Sequence, residues 1–247
     1  MKHTQYSKPP IVEAIVELRF VDPIPRANLL AVLEAALGAH YSGERQQQVQ
    51  VTVQAVLHAD RVGSMASQVP TTEFMRTADG QRLVGCTNGG ISVHALAPYP
   101  GWGEFVCDLD AVVAALLPAY GDRQIREVLV RYIDRIVLPP PPVDLATYFR
   151  ILPPLPEPGP AQIGGINVNL HRLDGAGLET LVTLRTDIRP DEPQPAVVLD
   201  FVARQVLAPH GKLASPKTWM PHVERLHDLQ YDTFKASILP ACEELFR

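Results

Sequence analysis

Cysteine is scarce and unpaired along the chain. Cys86, Cys107 and Cys242 lie far apart with no Cys-x-x-Cys among them, which argues against a disulfide scaffold or a paired-thiolate zinc site. They read as reduced thiols buried as small apolar residues. Long hydrophobic runs are missing as well: no apolar stretch approaches the ~20 residues of a membrane-spanning helix. The start, Met1-Lys2-His3-Thr4-Gln5-Tyr6, lacks the apolar core of a secretory signal, so a cytoplasmic location away from membranes is expected. Positive charge is not in excess. A net charge of -5 argues against a broad phosphate-binding surface, because non-specific nucleic-acid affinity comes from clustered Lys and Arg.

Catalytic signatures are equally absent. There is no Gly-x-Ser-x-Gly elbow, no HExxH and no Gly-rich phosphate loop before a helix, and none of the cysteines has a nearby His. His222 and His227 are five apart, which does not stack two ligands on one helix face. No metal and no cofactor are expected. His227-Asp228 has the residue types of a proton shuttle, but His227 falls on the same stripe as Val223 and Phe234, as a satisfied core or boundary histidine would.

What is present is an ordinary globular composition, 46% hydrophobic and 20% charged, arranged in an order that occurs twice. Residues 11–20 alternate as a strand, with Val12, Ala14, Val16, Leu18 and Phe20 on one side and Glu13, Glu17 and Arg19 on the other. Leu29, Val32, Leu33, Ala36 and Leu37 stripe a helix ending near Gly38. Strands follow over 49–55, 72–77, 82–86 (the last two as one interrupted hairpin arm or as separate strands) and 91–96, then an amphipathic helix from Phe105 to Tyr120. The second round opens at 125–136, where Val128, Val130 and Tyr132 oppose Glu127, Arg131 and Arg135. A short helix at 144–149 comes next, and then a stiff surface connection over 152–160 carrying Pro153, Pro154, Pro156, Pro158 and Pro160. Strands around 166–170, 182–186 and 197–204 precede a final helix from Met220, which Pro240 kinks or restarts.

Strands that are apolar on one side only favour an antiparallel sheet with one face covered. The expected fold is therefore α+β: two β-α-β-β-β-α repeats, 1–122 and 123–247, forming one pseudo-twofold antiparallel sheet with helices on one face. This arrangement is similar to the saddle of the TATA-binding protein, an analogy of topology that carries no activity with it.

The open face supplies the candidates for a ligand or partner. Glu13, Glu17, Arg131 and Arg135 share it if the first strands of the two halves lie side by side, where Glu17 should pair with Arg131 or Arg135, as a ligand floor or as a solvent-facing ion-pair ladder. In the second half Asn167, Asn169, His171, Thr183, Arg185, Asp187, Asp200 and Arg204 form a mixed polar surface that suits directed hydrogen bonds or plain solvation. Trp102 and Phe105, after Pro98-Tyr99-Pro100-Gly101, form either a partner-binding aromatic cluster or a staple at the helix start.

Several segments carry a resemblance: Lys8-Pro9-Pro10-Ile11-Val12-Glu13-Ala14-Ile15-Val16-Glu17, Trp102-Gly103-Glu104-Phe105, Arg131-Tyr132-Ile133-Asp134-Arg135-Ile136, and Leu226-His227-Asp228 followed by Phe234. With these the chain resembles a sporadically distributed bacterial family of uncharacterised proteins of similar length. The family's middle motif usually has an amide where this chain has Asp134. Its patchy occurrence implies mobile-element or defence neighbourhoods and supplies no catalytic residues. The resulting expectation is a non-enzymatic binding or regulatory protein with a protein partner, itself or both. The alternative is a sensor or enzyme for a small anionic ligand such as a nucleotide, marked by a deep pocket where Arg131, Arg135 or Arg185 converge.

Overall fold

Alternation of side chains sets the central element. In β1 (Ile11–Phe20) Ala14, Val16, Leu18 and Phe20 are buried while Glu13, Glu17 and Arg19 are partly covered, as in a strand that packs one face against the core. The same parity governs β6 (Gln124–Val137), with Val128, Val130, Tyr132 and Ile136 inside and Arg131 and Arg135 on the opposite side. In this computed structural model, which describes residues 6–58, 61–152, 165–189, 191–192 and 194–247, with 50–58 and 61–70 described by their backbone alone, β1 and β6 pair antiparallel, Val16 opposite Val130.

Among the described residues seven further strands join them in one nine-stranded antiparallel sheet: β2 (Gln46–His58), β3 (Arg61–Arg76), β4 (Arg82–Thr87), β5 (Gly90–Leu96), β7 (Asn167–Leu173), β8 (Leu178–Asp187) and β9 (Ala196–Lys212). Their order is β2-β3-β4-β5-β1-β6-β9-β8-β7. The helices α1 (Arg26–Leu37), α2 (Trp102–Tyr120) and α3 (Met220–Ser237) bury apolar stripes against the sheet, and the short α4 (Pro240–Glu243) adds Cys242 to the core. Leu29 and Leu33, Leu109 and Leu116, and Val223 and Leu226 join Val16, Val93, Val130 and Phe201 in one connected core. Among the described residues no helix is long and apolar enough to cross a membrane.

Some sequence expectations change in the fold. The second strand extends to Gln46–His58, and its partner β3 begins at Arg61, giving a long hairpin of which only Glu73–Arg76 pairs with β4. The short helix expected over 144–149 contracts to one 3-10 turn, Leu145–Thr147, with the Asp144 carboxylate accepting from the Ala146 amide. Phe149, whose amide still donates to the Leu145 carbonyl at 3.0 Å, forms an antiparallel bridge to Ile238 where the turn ends. Among the described residues the first half carries five strands and two helices, whereas the second carries four strands, three 3-10 turns and α3 with its short continuation. Of the proline-rich connection over 152–160, only Leu152 lies within the described residues.

Candidate functional site

Strand register places Glu13, Glu17, Arg131 and Arg135 together on the sheet face turned away from the helices, beside Asp200 and Arg204 of β9 and Glu179, Thr183 and Arg185 of β8. Apolar side chains are interleaved with these charges. Ile15, Leu83 and Val198 are buried on this side, yet stand outside the core cluster that the helices share. Leu129, Ile133, Leu181 and Val202 are half-covered there.

The ion pairs differ from the expected ones. Glu17 sits opposite Leu129 in the register, so neither Arg131 nor Arg135 is its partner; it binds Arg19 Nε at 2.7 Å. Arg131 turns the other way and donates from Nε and Nη2 to the two carboxylate oxygens of Asp200, at 2.9 and 2.6 Å. Arg135 donates to Asp187 at 2.7 Å and also reaches Glu192. Arg204 pairs with Glu179, which His171 also contacts at 2.6 Å. Glu127 lies 3.2 Å from Arg19 and 4.0 Å from Arg204. Hydrogen bonding to Asp200 raises the Arg131 pKa, while His171 and then Arg204 lower that of Glu179, and Arg135 lowers that of Asp187. Arg185 is exposed, in the field of Asp187. An anion bound at Arg131, Arg135 or Arg204 would have to displace carboxylates already in place. Exposed pairs of this kind contribute only ~0–1 kcal/mol each to stability.

A second arrangement on this face was not legible in the sequence. His94 Nδ1 lies 2.8 Å from Glu13 Oε1, and His94 Nε2 lies 2.8 Å from Ser92 Oγ. Carboxylate, imidazole and hydroxyl thus stand in the order used for nucleophilic catalysis. The surroundings do not complete such a site. Ser92 is 7% exposed and sits within the ladder between Glu17 and Gly85, and the ring of Phe74 lies against this spot: a Cβ on Gly85 would meet Ser92 Oγ at 2.4 Å and Phe74 at 2.8 Å. Mid-strand backbone offers no pair of free amides as an oxyanion hole. Residues 13, 92 and 94 come from two strands, and only their register brings them together. The spacing Ser92-x-His94 was the one sequence signal, placing both side chains on the same face.

Two candidates lie elsewhere. His227, 9% exposed, is packed on the helix side, where its Nδ1 is 2.9 Å from the Tyr132 hydroxyl and its ring stacks on Trp102 at 3.9 Å. The Tyr132 hydroxyl is also 3.1 Å from that of Tyr99. Trp102 therefore belongs to the seam between α2 and α3, not to the open face. Tyr132→Phe is expected to cost about 1–3 kcal/mol, since it removes the shared hydroxyl of this buried chain; urea denaturation checks it, and an unchanged midpoint would show the hydroxyl to be idle.

Asp134 is the polar residue that fits its surroundings least. Strand parity sets it between Tyr132 and Ile136 on the apolar face, where it is 1% exposed and its Oδ2 has no hydrogen-bond partner among the described residues. Burial, followed by the charge of Asp200, pushes its pKa up to about 8. Two of the cavities among the described residues bear on the site. One, of about 570 Å³, lies at the end of α2 around Asp22, Tyr120 and Asp122. The other, a groove of about 1140 Å³, is bordered by Leu138, Phe149, Arg150, Val168 and Ile188. Neither gathers Arg131, Arg135 or Arg185. Among the described residues no cluster of three or more His, Cys, Asp or Glu is placed to hold a metal ion.

No family model matches the chain. A search of curated proteins finds no match either.

Proposed function

We propose that this is a non-enzymatic binding or regulatory protein that engages a partner protein through the open face of its sheet, in the cytoplasm and in the mobile-element or defence setting that the family resemblance implies. One observation carries the reading: half-covered Leu129, Ile133, Leu181 and Val202 alternate with arginines whose charge is cancelled by neighbouring carboxylates. Protein interfaces have such a character, with apolar contact area and little uncompensated charge at the centre. A small anion would need cations that are not already matched.

The two halves are read as diverged repeats. Support comes from the strand order, in which β5 flanks β1 as β9 flanks β6. Superposing β1 on β6 should carry β5 onto β9 and α2 onto α3; helices falling on opposite faces after that superposition would end the repeat reading.

The test of function pairs the wild-type chain with Ile133→Glu and Val202→Glu, which add charge to the middle of the open face. Both variants are expected to keep the wild-type circular dichroism and to lose at least about tenfold in affinity for the protein partner co-purified with wild type, the effect of roughly 1.4 kcal/mol. Wild-type affinity in both would refute the assignment of the face. Turnover of an ester, nucleotide or phosphodiester that vanishes in Ser92→Ala or His94→Ala, with the fold intact, would replace it with the enzyme reading.

A further inference from the structure

The sheet ends on β7, and this edge is unlike most edges in soluble proteins. Exposed edge strands are usually shortened, bulged or interrupted by proline or several charges, because their unpaired amides and carbonyls invite another strand. β7, Asn-Val-Asn-Leu-His-Arg-Leu, has no proline, and Arg172 is its one formal charge. Its register with β8 runs unbroken from Asn167 to Leu173. Leu170 and Leu173 are 48% and 69% exposed. At the opposite edge β2 has a register break between Gln48 and Val49, with Pro70 facing Val49.

We propose that two copies of this chain associate by antiparallel pairing of β7 with β7 of the second copy, about a twofold axis through Leu170. The strand is self-complementary in that register. Leu170 meets Leu170, Asn169 faces His171, and the aliphatic stem of Arg172 lies across Val168, with no like charges opposed. Such a contact is isologous and closes on itself as a dimer. The helix-side line of Val168 and Leu170 continues from Leu184 and Val182 on β8, which are 0% and 9% exposed, so pairing extends the apolar layer of one copy into that of the other. Among the described residues nothing pairs with the outer side of β7.

This inference goes beyond the proposed function and uses a different surface, so the two fail separately. Sedimentation over a dilution series of the full chain is expected to show a reversible dimer of the 27.1 kDa chain. Leu170→Lys sets two ammonium groups against each other at the axis and should weaken the dimer at least about tenfold, since like charges directly opposite destabilise a strand pair. Leu170 is half-exposed, and unchanged circular dichroism together with retained partner capture will show that the fold survives. In a Cys107→Ser background, which removes the exposed native thiol, Leu170→Cys should form a disulfide-linked dimer on mild oxidation. A wild-type monomer at all concentrations, or a Leu170→Lys dimer as tight as wild type, overturns the proposal.

Discussion

Asp134→Asn is expected to stabilise the protein by roughly 2–4 kcal/mol at pH 8 and to destabilise it by about 1–3 kcal/mol near pH 4. The native carboxyl keeps its proton up to about pH 8, whereas its ordinary value is 3.8. The native state therefore binds more protons than the unfolded state between these limits. Stability falls as pH rises through that window, at up to about 1.4 kcal/mol per pH unit, and levels off above it. The full difference across the window is about 5 kcal/mol by the same conversion. An asparagine cannot ionise, so it escapes this loss, but its amide needs partners in a place where Oδ2 has none, at a cost of about 1–3 kcal/mol. Denaturation of both proteins at pH 4, 6 and 8 decides the matter. Parallel pH profiles would show that Asp134 does not titrate in this window.

Removing the Trp219 side chain is expected to have the largest effect of any single truncation, about 3–5 kcal/mol for Trp219→Ala. Trp219 is fully buried and heads the group of largest enclosed side chains. It immediately precedes α3, and its carbonyl accepts the His222 and Val223 amides at 3.0 and 3.3 Å. Its Cβ stands over Gly211 so closely that an added methyl there would lie 3.0 Å away. Among the described residues the indole Nε1 has no hydrogen-bond partner. Trp219→Phe should thus cost less than about 2 kcal/mol, because it retains most of the ring and deletes an unpaired donor. Equal losses in the two variants, read as denaturation midpoints at constant slope, would mean that the indole nitrogen is bonded in solution.

The one-sidedness of β1 and β6, the stripes of α2 and α3, and the restart at Pro240 were legible because side-chain periods of 2 and 3.6 residues are local properties of the chain. The placement of His227 among apolar neighbours followed from the same spacing. Asp134 shares the parity of Tyr132 and Ile136, but its burial without a partner for Oδ2 among the described residues emerges in the folded sheet. The helix expected over 144–149 shortens to a turn, and the segment ends in a bridge between Phe149 and the distant Ile238, a contact that no local pattern encodes.

Pairing and register belong to the tertiary structure. The residue opposite Glu17 depends on how β1 slides along β6, and a shift of one residue would turn every side chain to the other face. The sequence by itself determined an ordinary globular composition, strands with one apolar side, and helices able to cover it. Only the folded sheet decided that Arg131 meets Asp200, that Glu13, His94 and Ser92 form a chain, and that β7 stands at an edge, because those contacts join strands distant along the chain and no local pattern encodes which strands become neighbours.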